Sequence, residues 1–157
     1  FVGDKISIKA RKLIETTYEC LMLGIEQVKP GATLGDIGSA IQTHAEAKNY
    51  SVVRDFCGHG IGRVFHDSPS VVHYSRDEKG RDVSGGNWPV LEEGMFFTIE
   101  PMINAGKFGV KVLSDGWTAV TKDKSLSAQF EHTLAVTADG YEIFTQSPKG
   151  WTLPPYS

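Results

Sequence analysis

Met95–Ile103 reads MFFTIEPMI and Ser127–Thr137 reads SAQFEHTLAVT. Both are apolar, strand-like runs, and each contains one acid. In the first, the period-two alternation of a strand places Phe96, Thr98, Glu100 and Met102 on one face, with Glu100 wedged between Ile99 and Pro101. A lone ionised carboxylate in such a setting is expensive. Glu100 is therefore expected to be ion-paired with a Lys or Arg, protonated, or bound to a cation. In the second run, Phe130, His132, Leu134 and Val136 share one face, and Gln129, Glu131, Thr133 and Ala135 share the other. Taken alone, Glu131 reads more simply as part of a solvated face.

Outward from these two runs the pattern stays strand-like downstream and becomes helical upstream. Ala138-Asp139-Gly140 is a hairpin turn signal leading into Tyr141–Thr145. Ser51–Phe56 (SVVRDF), Val71–Tyr74, Val110–Leu113 and Trp117–Thr121 read as further short strands. Residues 7–28 read as a helix, capped by Ser7 and stopped by Lys29-Pro30-Gly31, with Ile14, Tyr18, Leu21, Ile25 and Val28 as its apolar stripe. A second helix opens at the N-cap Thr33, carries Leu34, Ile37, Ile41 and Ala45, places Asp36 in its first turn, and ends at Asn49. Residues 75–89 are polar, with three Gly and a Pro, and read as an exposed loop; residues 146–157 hold three Pro and read as a tail. Two helices followed by hairpin-spaced strands imply an α+β fold with a mainly antiparallel sheet.

Composition narrows the function classes. The 157 residues carry 16 Lys+Arg against 19 Asp+Glu, a formal net charge of −3, with 40% hydrophobic and 22% charged residues. Those values suit one globular domain and exclude disorder as the main state. The mild acidity argues against binding a nucleic-acid backbone. No apolar stretch approaches the ~18 residues of a membrane span. Cys20 and Cys57 form no CxxC, which suits reduced thiols in the cytoplasm rather than a disulfide scaffold.

Three side chains stand out as donors. His59 lies in Gly58-His59-Gly60-Ile61-Gly62, where flanking glycines permit close backbone approach and present the imidazole from a tight loop. With Glu100 and Glu131 it has the character of a divalent site for Mn, Fe, Co or Zn rather than a thiolate-closed structural zinc. The spacings, 41 residues from His59 to Glu100 and 31 from Glu100 to Glu131, carry no specificity of their own. His66, beside Phe65, is close enough in sequence to reach the same cleft, whereas His44 reads as exposed on the second helix and His73 as an ordinary histidine. Cys57 beside His59 or His66 is an alternative nucleophile, although the two acids explain more residues at once. The chain has no GxGxxG, GxSxG, HExxH or P-loop. A two-His-one-carboxylate oxygenase lacks its HxH or HxD pair.

Val53–Arg63 (VRDFCGHGIGR), Phe65-His66, Phe97–Met102 (FTIEPM), Asp115–Thr118 (DGWT) and Ser125–Thr133 (SLSAQFEHT) resemble, in order and local spacing, the bacterial type I methionine aminopeptidases over essentially residues 1–145. The resemblance implies the pita-bread α+β fold of the M24 metallopeptidases, and removal of the initiator methionine from nascent chains with a small second residue. It implies His59, Glu100 and Glu131 as metal ligands, Glu131 bridging two ions, in a site accepting Co, Mn, Fe or Zn. It makes His66 the catalytic histidine at the scissile peptide, Glu100 a proton carrier, and Cys57, Phe65 and Trp117 neighbours of the methionine side chain. Implied partners are the nascent polypeptide N-terminus and the ribosome, for a monomer that binds neither nucleic acid nor membrane. The family's site also uses two aspartates and a histidine from the first half of the fold. Asp4 and Asp36 do not match them, and the chain starts at Phe1 rather than Met. The expectation is therefore a C-terminal portion holding three of five ligands and inactive by itself, with 1–145 belonging to the catalytic domain, the 146–157 tail extra, and the 75–90 loop longer than usual. The alternatives are an Xaa-Pro aminopeptidase-like enzyme, separated from the first reading by SLSAQFEHT, and a non-catalytic pita-bread binding module.

Overall fold

The computed structural model describes residues 5–151. Asp4 and the last six residues of the expected 146–157 tail lie outside the described residues. Two helices, α1 (Ile8–Ile25) and α2 (Leu34–Ala47), precede ten short strands. Ser7 caps α1, its Oγ accepting the Ala10 N–H at 3.1 Å. The expected extension to 28 is replaced by tight turns ahead of Pro30, with the Val28 N–H donating to the Ile25 carbonyl at 2.9 Å. The buried stripe of α1 is rotated from the expected one. Leu13, Thr17, Cys20, Leu21, Gly24 and Ile25 face inward, while Ile14 and Tyr18 are only half-buried. Small residues explain the rotation: a Cβ on Gly24 would come within 2.7 Å of Ile41 Cδ1, so the small side lets α2 approach closely. Helix α2 begins with a capping box in which Thr33 and Asp36 exchange side-chain and backbone hydrogen bonds.

The strands form two main sheets. A five-stranded sheet has the order β10 (Tyr141–Ile143), β9 (His132–Val136), β4 (Phe96–Ile99), β2 (Gly58–Gly60), β3 (Asp67–Val71). A three-stranded sheet has the order β1 (Ser51–Val52), β5 (Met102–Asn104), β8 (Ser127–Gln129), and β6 (Val110–Val112) with β7 (Ala119–Thr121) makes a separate hairpin. Every strand pair is antiparallel. The helices cover the apolar side, where Phe97, Ile99, Ile103 and Leu134 join Leu21, Ile25 and Ile41 in one core.

Each of the two runs expected as single strands is broken at its acid. MFFTIEPMI divides into β4 and β5 around Glu100-Pro101, and SAQFEHTLAVT divides into β8 and β9 around Phe130-Glu131. The breaks lie opposite one another, because Ile99 pairs with His132 and Met102 pairs with Gln129. Pro101 has no N–H for a ladder, and at this point the ribbon crosses from one sheet into the other. Three further expectations shift. SVVRDF is strand only at Ser51–Val52, because after Val53 donates to the Met102 carbonyl the chain swings across to the other sheet. The expected glycine loop is strand β2. The Val71–Tyr74 strand is instead Asp67–Val71, since the chain leaves the sheet edge after Val71 and buries His73. The 75–89 loop is largely exposed as expected, with Trp88 folded back onto the core.

Candidate metal centre

Strand β2 holds His59 by backbone approach on both sides. A Cβ at Gly58 would collide with the Thr98 carbonyl oxygen, and one at Gly60 with the Ser68 carbonyl oxygen. Between these glycines the register to β3 jumps, with His59 opposite Ser70 and Gly60 opposite Asp67. Irregularities of this kind re-aim a side chain out of the ladder. His59 Nδ1 lies 2.9 Å from the Gly60 carbonyl. A carbonyl only accepts, so Nδ1 is the donating nitrogen of this contact and Nε2 is the ring nitrogen left facing the cluster. That Nε2 points at Glu100, 3.8 Å from Oε1.

One donor atom from each of His59, Glu100 and Glu131 lies within 4.8 Å of the others. The convergence follows from the ribbon break, which sets the two acids directly across from each other beside β2. Among the described residues no Lys or Arg pairs with either carboxylate. Of the three fates open to Glu100, the basic ion pair is therefore removed. Glu131 is exposed, as a solvated-face reading requires, yet it also faces the cluster. Burial pushes the Glu100 carboxyl upward, the Thr98 hydroxyl pulls it down, and the charge of Glu131 raises it further.

Neighbours fix the donors. The buried Thr98 hydroxyl accepts the His59 backbone N–H at 3.0 Å and donates to Glu100 Oε1 at 2.9 Å, tying two donor residues through one oxygen. Gln129 Nε2 lies 3.4 Å from Glu100 Oε2. His73 is 1% exposed, and its Nε2 accepts the Glu100 backbone N–H at 3.0 Å. Burial drives its pKa down to about 3. Sequence reasoning passed over Thr98, Gln129 and His73, because their significance lies in contacts 2, 29 and 27 residues away along the chain. The period-two face shared by Thr98 and Glu100 was the one available signal.

The remaining expected residues are placed unevenly. The exposed His66 ring sits 4.4 Å from that of His59, and Phe65 packs at 5.3 Å from His59 and 4.7 Å from His66, so these three rings form one group. Phe65 is 64% exposed. Cys57 is a free, half-buried thiol two residues before His59. Trp117 is 89% exposed in the turn between β6 and β7. A recess of about 650 Å³ adjoins the centre through Gln129 and is lined by Val53, Phe56 and Met102, with Lys111, Lys122 and Lys124 also along it. Cys57, Phe65 and Trp117 are not among its lining residues. His44, expected to be exposed, is instead half-covered and lies 2.7 Å from Glu19.

Two carboxylates and an imidazole oriented by a backbone carbonyl at Nδ1, with Nε2 turned to the cluster, form a donor set suited to a divalent ion. With such a half-buried oxygen-nitrogen donor cluster on an antiparallel ribbon, the chain is an α+β protein with a candidate metal site. It belongs to metallopeptidase family M24, whose model matches residues 1–138. It is 60% identical to a methionine aminopeptidase of Rickettsia prowazekii over 99% of this chain and 57% of that protein. It is 57% identical to methionine aminopeptidase A of Synechocystis over 92% of this chain and 54% of that protein. The crystal structure of methionine aminopeptidase from Rickettsia prowazekii superposes with a TM-score of 0.83 at 60% identity, covering 92% of this chain and 55% of that one. The chain thus spans a little over half the length of these relatives. Family membership implies a divalent metal, and the pita-bread fold follows with it. Among the described residues no helix is long and apolar enough to cross a membrane.

Proposed function

We propose that these residues form the metal-binding part of a methionine aminopeptidase that removes the initiator methionine from nascent chains with a small second residue. The observation that carries this reading is the meeting of His59, Glu100 and Glu131 donor atoms within 4.8 Å, with no Lys or Arg paired to either acid among the described residues. The names of the relatives at 57–60% identity support the substrate. In the whole protein, His59 Nε2 and the carboxylates of Glu100 and Glu131 would hold divalent metal (Co, Mn, Fe or Zn), with Glu131 assigned as the ligand shared between ions. Bound there, the metal supplies Lewis acidity, making a water more acidic at neutral pH and polarising a carbonyl oxygen. Glu100, half-buried beside the cluster, would also accept and pass on a proton from the attacking water. His66, edge-on to His59, is assigned the hydrogen bond to the scissile peptide, which its closeness to the cluster supports. Phe65, Cys57 and Trp117 are assigned to the surroundings of the methionine thioether side chain; the ring contacts of Phe65 with His59 and His66 support its part. The reading places its action in the cytoplasm, with the nascent N-terminus and the ribosome as partners and a monomer as the working unit. Residues 1–145 are assigned to the catalytic domain and 146–157 to a tail.

The test uses the full-length protein. It is expected to hydrolyse Met-Ala-Ser with added divalent metal, to lose that activity on chelation, and to leave an Xaa-Pro peptide uncut. Glu100→Gln should lower kcat by about 10²–10⁴-fold, the usual contribution of a positioned proton carrier. Full activity after chelation, or preference for the Xaa-Pro peptide, would contradict the reading.

A further inference from the structure

We infer that His73 is a positioning residue for the metal centre, holding Glu100 in place by accepting its backbone N–H. This rests on the assignment of Glu100 as a ligand. At Glu100 the chain passes from β4 to β5 and from one sheet to the other, so its N–H donates to an imidazole instead of a neighbouring strand. The contact is 3.0 Å and His73 is 1% exposed. An N–H left unpaired in such a place is unfavourable, so the acceptor decides where the Glu100 backbone settles. The amide can only donate, so Nε2 must be the unprotonated nitrogen, and the ring must carry its proton on Nδ1. His73 reaches this point from beyond the far end of β3, whose partner β2 carries His59. The imidazole therefore links the edge of the sheet bearing one donor to the break bearing another. Thr98 fixes the Glu100 carboxylate, and His73 fixes its main chain. Both positions must be right for the carboxylate oxygens to meet His59 Nε2.

The two-variant comparison His73→Gln and His73→Asn separates this role from simple packing. The Gln side chain carries an acceptor about as far from the backbone as imidazole Nε2, whereas the Asn acceptor falls short, near the position of Nδ1. In the full-length protein, Co(II) affinity and the Co(II) visible absorption spectrum are measured by titration, alongside kcat and KM for Met-Ala-Ser and metal-free melting. His73→Asn is expected to bind Co(II) about 10–100-fold more weakly, the usual loss when a partner of a ligand is removed, with a shifted spectrum and a fall in kcat larger than any change in KM. His73→Gln is expected to restore wild-type affinity and spectrum. Gln and Asn variants equally impaired, or an Asn variant with the wild-type spectrum and affinity, would overturn the inference. If the Asn variant does not fold, the Gln variant decides: wild-type Co(II) binding supports the role and tenfold weaker binding refutes it. A wild-type protein that binds no Co(II) at all would instead overturn the ligand assignment beneath it.

Discussion

Thr98 shows how a single hydroxyl organises the centre. It is buried, receives the His59 N–H and donates to Glu100 Oε1, so both its lone-pair and proton capacity are used on donor residues. Thr98→Val keeps the shape and removes the oxygen. It leaves a backbone N–H without its acceptor and a carboxylate oxygen without its donor. The expected cost is about 1–3 kcal/mol in urea unfolding, together with Co(II) binding weakened by about 10–100-fold, while Thr98→Ser stays near wild type. A Val variant matching wild type in both measurements would show that the hydroxyl positions nothing.

At the scale of elements, the glycines of β2 govern how closely the ribbon approaches its neighbours. Gly60→Ala would drive a Cβ into the Ser68 carbonyl oxygen, a backbone atom that cannot rotate away. Gly140→Ala, in the turn before β10, meets nothing within 4 Å. Equilibrium unfolding should therefore place Gly60→Ala at or beyond the upper end of the about 0.5–3 kcal/mol typical of single substitutions, and Gly140→Ala within about 0.5 kcal/mol of wild type. Equal effects would mean that β2 is not tightly clamped. The same contrast explains what could be read from the chain alone. Ser7 and Thr33 announce their helices because capping is local chemistry, and Asp139-Gly140 announces its hairpin for the same reason. The acids were legible as anomalies because a carboxylate in an apolar run needs an explanation. The breaks at Glu100 and Glu131 were not legible, since they depend on two sheets sharing one ribbon. Nor was the rotated face of α1, which depends on small residues admitting α2. His73 was invisible because it acts on a main-chain group 27 positions away.

Across the whole molecule, two helices back a ribbon that passes through both sheets, and the donors gather where that ribbon changes sheet. The central claim is that this junction holds a divalent ion. The most direct measurement is an anomalous difference map from crystals of the full-length protein grown with Co(II), collected on both sides of the cobalt edge. The structure predicts a cobalt peak about 2.0–2.2 Å from His59 Nε2 and from oxygens of Glu100 and Glu131. A map with no peak at that junction, or one in which lysine or arginine side chains neutralise the two carboxylates, would contradict it.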